Sequence, residues 1–163
     1  MFRKSMLMAA VALIAVPAFA SGQSQVSATA TVGNFSQVTG AGDVDFGTLS
    51  RVTDNVIDAA GGAGAAERTV DFNHNIRVTF TNVPTELTAA GGLSLPVSLT
   101  CASQMGGVWS TPVGCEGAQL DLDVGTSLTT ATLGFGGTIT AAAVQNAAAA
   151  TYTGTLDIVV TAR

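Results

Sequence analysis

Few side chains in this sequence are equipped for chemistry, and their spacing argues against most of what they could do. The two cysteines, Cys101 and Cys115, lack the C-x-x-C spacing of a redox or metal pair, and His74 is the only histidine. The simplest chemistry for them is a disulfide closing a loop of about 15 residues, which stabilises a chain by on the order of 3 kcal/mol. His74 lies between Asn73 and Asn75, where a turn is expected, and no serine stands in a G-x-S-x-G elbow to form a hydrolase triad with it. Asp43-x-Asp45 and Asp121-x-Asp123 each place two carboxylates on one face of a strand. Calcium uses such oxygens but takes further ligands from loops, and an outward strand face is polar in any case, so solvated faces are the preferred reading and calcium stays open. Asn34-Phe35-Ser36 fits the glycosylation sequon, a pattern of low specificity. Trp109, the single tryptophan, lies between the two cysteines and reads either as a surface-loop contact or as a cap over one end of the core. No catalytic activity, cofactor or metal is expected from this set.

The segments that would position these residues begin with a targeting signal. Arg3 and Lys4 precede an apolar run over residues 6–16, then Pro17 and the small-x-small triplet Ala18-Phe19-Ala20. This predicts a signal peptide over 1–20, cleaved after Ala20, and an exported chain. No later stretch approaches the roughly 18 apolar residues that span a bilayer, so the mature chain is not expected to insert in a membrane. Loss of Arg3 and Lys4 takes the formal charge from −5 to −7. The remaining cations, Arg51, Arg68, Arg77 and Arg163, are scattered, which argues against nucleic acid or anionic lipid as partner.

Alternation predicts an all-β chain. Val26, Ala28, Ala30 and Val32 share one face of a strand over 25–32, and a second strand is expected over 43–49 with Val44 and Phe46 inward and Gly47 at a bulge or close approach. Residues 59–66 are all alanine and glycine and read as a mobile loop, since nothing bulky is there to pack. Val70, Phe72, Ile76, Val78 and Phe80 suggest a hairpin around residues 73–75, although that turn lacks glycine. Leu93, Leu95, Val97, Leu99 and Cys101 share a parity, with Pro96 marking an edge or an interruption. Leu120, Leu122 and Val124 alternate with Asp121 and Asp123; Leu133, Phe135 and Ile139 carry another strand through three glycines. Residues 141–150 permit either a marginal helix or a loop. Tyr152, Leu156 and Ile158 mark a half-buried closing strand, around which the sandwich is expected to be organised. About eight short strands without βαβ alternation predict a β-sandwich.

Three segments carry a family resemblance: residues 26–32 (Val-Ser-Ala-Thr-Ala-Thr-Val), residues 44–48 (Val-Asp-Phe-Gly-Thr), and the ending from Gly137 through Tyr152-Thr-Gly-Thr-Leu-Asp-Ile-Val-Val. Together they resemble the spore coat protein U-like domain of archaic chaperone/usher pilins and related bacterial surface proteins. The family commonly has a cysteine just after the first strand, where Gly33-Asn34-Phe35 stands here. The resemblance implies an immunoglobulin-like sandwich that lacks a strand and is completed by the N-terminal extension of the next subunit. Carried over, Val26, Ala28, Ala30 and Val32 would be the donor residues. The expected organisation is a signal peptide over 1–20, an N-terminal extension and donor strand over 21–38, and a sandwich domain over 39–163. The implied function is a non-enzymatic subunit of a surface filament, a homo-polymer with a periplasmic chaperone and an outer-membrane usher as assembly partners. The alternative is a self-complete secreted sandwich or coat protein that recognises a carbohydrate or protein, with the strand folded into its own domain.

Overall fold

Glycine decides the layout of the molecule, because the longest strand threads three glycines between its large apolar residues. A computed structural model describes residue 30, residues 33–125 and residues 128–163; the expected signal peptide and Val26, Ala28 and Val32 lie outside the described residues. In chain order the strands are β1 (Ser36–Thr39), β2 (Asn55–Ile57), β3 (Ala66–Phe72), β4 (Ile76–Thr81), β5 (Glu86–Ala89), β6 (Leu93–Pro96), β7 (Ser98–Met105), β8 (Val108–Trp109), β9 (Val113–Gly114), β10 (Gln119–Leu122), β11 (Thr129–Ile139) and β12 (Asp157–Ala162). One short helix, α1 (Ala141–Asn146), precedes β12 and is capped by Thr140, whose hydroxyl accepts the Ala143 N–H.

β11 is the hub. It pairs with β7 along one edge and with β3 and β2 along the other, in a sheet ordered β1-β3-β11-β7-β8 with β9 also on β7. A second antiparallel sheet is ordered β10-β4-β12, and β5 pairs only with β6. Val70, Phe72, Leu133 and Phe135 from the first sheet pack against Ile76, Val78, Phe80 and Leu122 from the second. Phe80 and Phe135 meet edge to face with centroids 5.7 Å apart, an arrangement that suits the ring quadrupoles. The molecule is therefore an all-β, immunoglobulin-like sandwich. A smaller core of Leu95, Val97, Ile139 and Val144 closes one end. Cys101 and Cys115 are bonded to each other, fully buried, with Cα atoms 5.2 Å apart, so the expected disulfide is present.

Several expectations are corrected. The hairpin over residues 68–81 does not form: β3 and β4 do not pair and belong to different sheets, so residues 73–75 are a corner between layers. Its asparagines replace ladder bonds with side-chain bonds. Asn73 accepts the Phe35 N–H at 2.7 Å and donates to the Gly33 carbonyl at 2.9 Å, while Asn75 accepts the Val124 N–H at 2.9 Å. Residues 43–49 form no strand, although Val44 and Phe46 do turn inward; the Asp45 N–H bonds the Gly64 carbonyl at 3.0 Å. Gly47 has φ +58° with open space where a Cβ would stand, so a left-handed backbone rather than close approach calls for glycine there.

The alanine and glycine loop is packed. A Cβ on Gly134 would meet the Ala59 carbonyl at 1.9 Å, and one on Gly136 would meet the Ile57 carbonyl at 2.3 Å. The backbone of residues 57–59 therefore lies directly on the glycines of β11, with Ala59 fully buried. What this segment packs is its main chain, which a count of bulky side chains does not register. Ser36–Thr39, placed partly in the N-terminal extension by the 21–38 boundary, is β1 and pairs with β3; the unit that contains the sandwich begins at Gly33. The strand expected from Leu93 to Cys101 is split at Val97 into β6 and β7, with Pro96 on the two-stranded edge sheet. The final strand starts at Asp157 rather than Thr151, and it is an edge strand, not the centre.

Candidate functional site

β12 is bonded to β4 on one side only; among the described residues no strand pairs with its other edge. An edge of this kind presents unpaired N–H and C=O groups, which natural sheets normally cover or blunt. The first residues of β12 and the segment before it form one wall of a cleft of about 890 Å³. Tyr152, Leu156 and Ile158 line that wall, all half-buried on one parity. Val44, Phe46 and Leu49 form the opposite wall, and Leu95, Leu99, Phe135 and Ile139 lie beneath, so the cleft opens onto both cores. Its rim carries Asp43, Asp45, Arg51, Arg68 and Asp157.

Local sequence explains each wall. β12 is held half-buried because its even positions are apolar and its odd positions, Asp157, Val159 and Thr161, are exposed. Leu87 and Pro84 close one end of the cleft: Thr88 and Thr153 exchange two backbone hydrogen bonds at 2.8 and 2.9 Å, and Gly154 passes so close that a Cβ would meet Leu87 at 2.9 Å. The opposite wall bends at Gly47, whose φ is +58°, and Asp45 Oδ1 accepts the Gly47 N–H at 2.8 Å.

Of the residues singled out for chemistry, Asp43 and Asp45 lie on the cleft rim and the others fall elsewhere. Asp121 receives Arg77 in a two-bonded ion pair at 2.7 and 3.0 Å and Arg163 at 2.8 Å, and Asp123 also pairs with Arg163. The Arg77 hydrogen bond holds the Asp121 carboxyl down at about 2, with the Arg163 charge adding to the effect. These carboxylates thus work as anchors for guanidinium groups across the second sheet. Among the described residues no group of three or more His, Cys, Asp or Glu side chains is placed to hold a metal ion. His74 Nδ1 lies 3.1 Å from the Asn73 side-chain oxygen at the corner. Trp109 is half-buried; its ring covers Gly134 and reaches Gly61. Ala30 is exposed and outside any strand, while its three companions in the expected donor strand lie outside the described residues. The cleft itself was not singled out by sequence reasoning. Its signals there are the shared parity of Tyr152, Leu156 and Ile158 and the inward positions expected for Val44 and Phe46.

No helix of the described residues is long and apolar enough to cross a membrane. No family model and no curated protein matches the sequence. Two solved structures are similar in shape. One is the P pilus rod subunit PapA, 13% identical, with a TM-score of 0.44 over 78% of this chain and 99% of that chain. The other is a chain from a chaperone and tip adhesin complex of CFA/I fimbriae biogenesis, 15% identical, with a TM-score of 0.48 over 78% of this chain and 41% of that chain. The present chain thus spans less than half the length of the latter.

Proposed function

We propose that this chain is a non-enzymatic structural subunit of a bacterial surface filament, polymerising head to tail when the N-terminal strand of one copy enters the cleft of another. The observation that carries the proposal is the cleft, with apolar side chains on its walls and a charged rim, where the edge strand β12 begins. Residues 25–32 have the matching chemistry: Val26, Ala28, Ala30 and Val32 are small apolar residues on one face, and the segment is uncharged. An added strand gains main-chain hydrogen bonds from the open edge, and its alternate side chains set the register. Such donation does not close on itself, so it builds a filament.

Chain geometry favours a second copy as donor. The Gly33 carbonyl is bonded to Asn73, and the Arg163 N–H is bonded to the Asn75 carbonyl at 2.9 Å, so residue 33 and the end of β12 meet at one corner. A strand continuing back from residue 33 of the same chain would lie parallel to β12. A strand from another copy is free to lie antiparallel, the better-bonded arrangement. The signal sequence and the buried disulfide support export through an oxidising compartment, where a periplasmic chaperone would shield the cleft and an outer-membrane usher would receive the subunit. Self-complete ligand binding through the Trp109 loop is less well supported, since that ring is engaged with Gly134 and Gly61.

Electron microscopy of the native exported protein, paired with an unboiled denaturing gel, tests the reading. Filaments and a ladder of detergent-resistant multimers are expected, and both should vanish when residues 21–32 are deleted. A compact monomer in both assays, or normal filaments from the deleted chain, would overturn it.

A further inference from the structure

The apolar pattern of β12 leaves its register undetermined. Ile158 lies opposite Phe80 and Val160 opposite Val78 on β4. A slip of two residues would put Leu156 opposite Phe80, Ile158 opposite Val78 and Val160 opposite Ile76, with apolar side chains still facing the core. A one-residue slip reverses the faces and is excluded by burial, but a two-residue slip keeps every face unchanged. It would nevertheless shift Leu156 and Ile158, which line the cleft, by about 7 Å along the strand.

Beyond the backbone pair of Thr153 with Thr88, which lies before the strand, side-chain contacts at the two ends of β12 distinguish the registers. At the start of β12, Asp157 Oδ2 accepts the side-chain N–H of Asn82 at 2.7 Å. Asn82 sits just after β4 and has φ +52°, the only described residue other than glycine with a positive φ. At the far end the Arg163 guanidinium reaches across the sheet to Asp121 at 2.8 Å and to Asp123, while its N–H bonds Asn75. A two-residue slip breaks both ends at once, because it carries Asp157 away from Asn82 and Arg163 past Asp121 and Asp123. We infer that Asp157 and Arg163 are the positioning residues that fix the register of β12 and thereby place the apolar side chains of the cleft wall. The assignment is independent of what fills the cleft.

Disulfide trapping reads the register directly. Thr79 and Val159 are opposite each other in the present register, and Val159 is exposed. Directly opposed strand residues have Cα atoms about 4.5–5.5 Å apart, which a disulfide can bridge. After a two-residue slip the same atoms would stand beyond the roughly 7 Å limit. In a protein carrying Thr79→Cys and Val159→Cys, with Cys101–Cys115 intact, mild oxidation should form the 79–159 bridge nearly completely. Adding Asp157→Ala with Arg163→Gln should lower its yield severalfold, and each single substitution should give an intermediate loss. Asp157→Asn, whose amide oxygen still accepts from Asn82, should retain the yield. Thr130→Ala removes a hydrogen bond to Asp71 in the other sheet and serves as the control for general destabilisation. An undiminished bridge in the double variant would overturn the inference. So would an equal loss in Thr130→Ala, or, if the double variant does not fold, single variants that trap as well as the parent.

Discussion

Replacing Gly134 by alanine should be among the most damaging single-methyl additions in the molecule. The new Cβ would stand 1.9 Å from the Ala59 carbonyl oxygen and 2.9 Å from two ring carbons of Trp109, whereas ordinary contact begins near 3.4 Å. A gap of about 1.5 Å must open between β11 and the segment above it, and the obstacle is backbone, which cannot rotate away as a flexible side chain would. Overpacking of this kind costs typically 1–3 kcal/mol. The fixed main chain and the displaced indole place Gly134→Ala at the upper end, about 3 kcal/mol. For a domain of this size that corresponds to a fall in Tm of about 10 °C. Thermal unfolding followed by circular dichroism gives the stability, and Trp109, the single tryptophan, reports the local change through a red-shifted emission. Gly114→Ala is the control, since open space surrounds that Cβ and it should change stability by no more than about 0.5 kcal/mol. Equal stabilities for the two variants with unchanged Trp109 emission would refute the packing argument.

Other perturbations probe separate parts of the fold. Replacing Cys101 and Cys115 by serine, or reducing them, should lower the unfolding free energy by about 3 kcal/mol for a separation of 14 residues, read from urea denaturation. Leu133→Ala removes a fully buried side chain from the main core and should cost about 3–4 kcal/mol in the same assay. The Asp121 carboxyl is depressed from 3.8 to about 2 in the folded protein, so its contribution is fully present above the ordinary carboxylate value and is lost as the pH falls through about 2. The stability difference between the parent and Asp121→Asn should therefore be constant near neutrality and shrink between about pH 4 and pH 2, with a smaller difference in high salt because the pair is exposed.

Period-two alternation carried much of the fold into view. It located β10 with Asp121 outward, the inward parity shared by Leu95, Val97 and Cys101, and the half-buried face of the closing strand. The buried disulfide followed from having two cysteines in a chain expected to be exported. What alternation cannot express is which sheet a strand joins. β3 and β4 read as one hairpin because both alternate and only three residues separate them, yet Asn73 and Asn75 turn the chain from one layer to the other. The stretch over 59–66 was misread because packing by backbone leaves no trace in its own side chains; the complementary sign lay some 70 residues away, in Gly134 and Gly136. The cleft was legible only in part. The apolar side chains of the last strand were visible, but the wall formed by Val44, Phe46 and Leu49 depends on how residues 43–49 cross the molecule.

The corner at residues 73–75 also determines how the sandwich carries force. Residues 33 and 35 are fastened to Asn73, which joins β3 in one sheet to β4 in the other, and the end of β12 is fastened to Asn75. A pull on residue 33 along the strand axis is divided between the two layers at the point where the chain passes from one to the other. The four residue pairs between β1 and β3 are then loaded together in shear instead of being opened one at a time. Tension entering through residue 33 reaches both sheets without first prising apart the walls of the cleft.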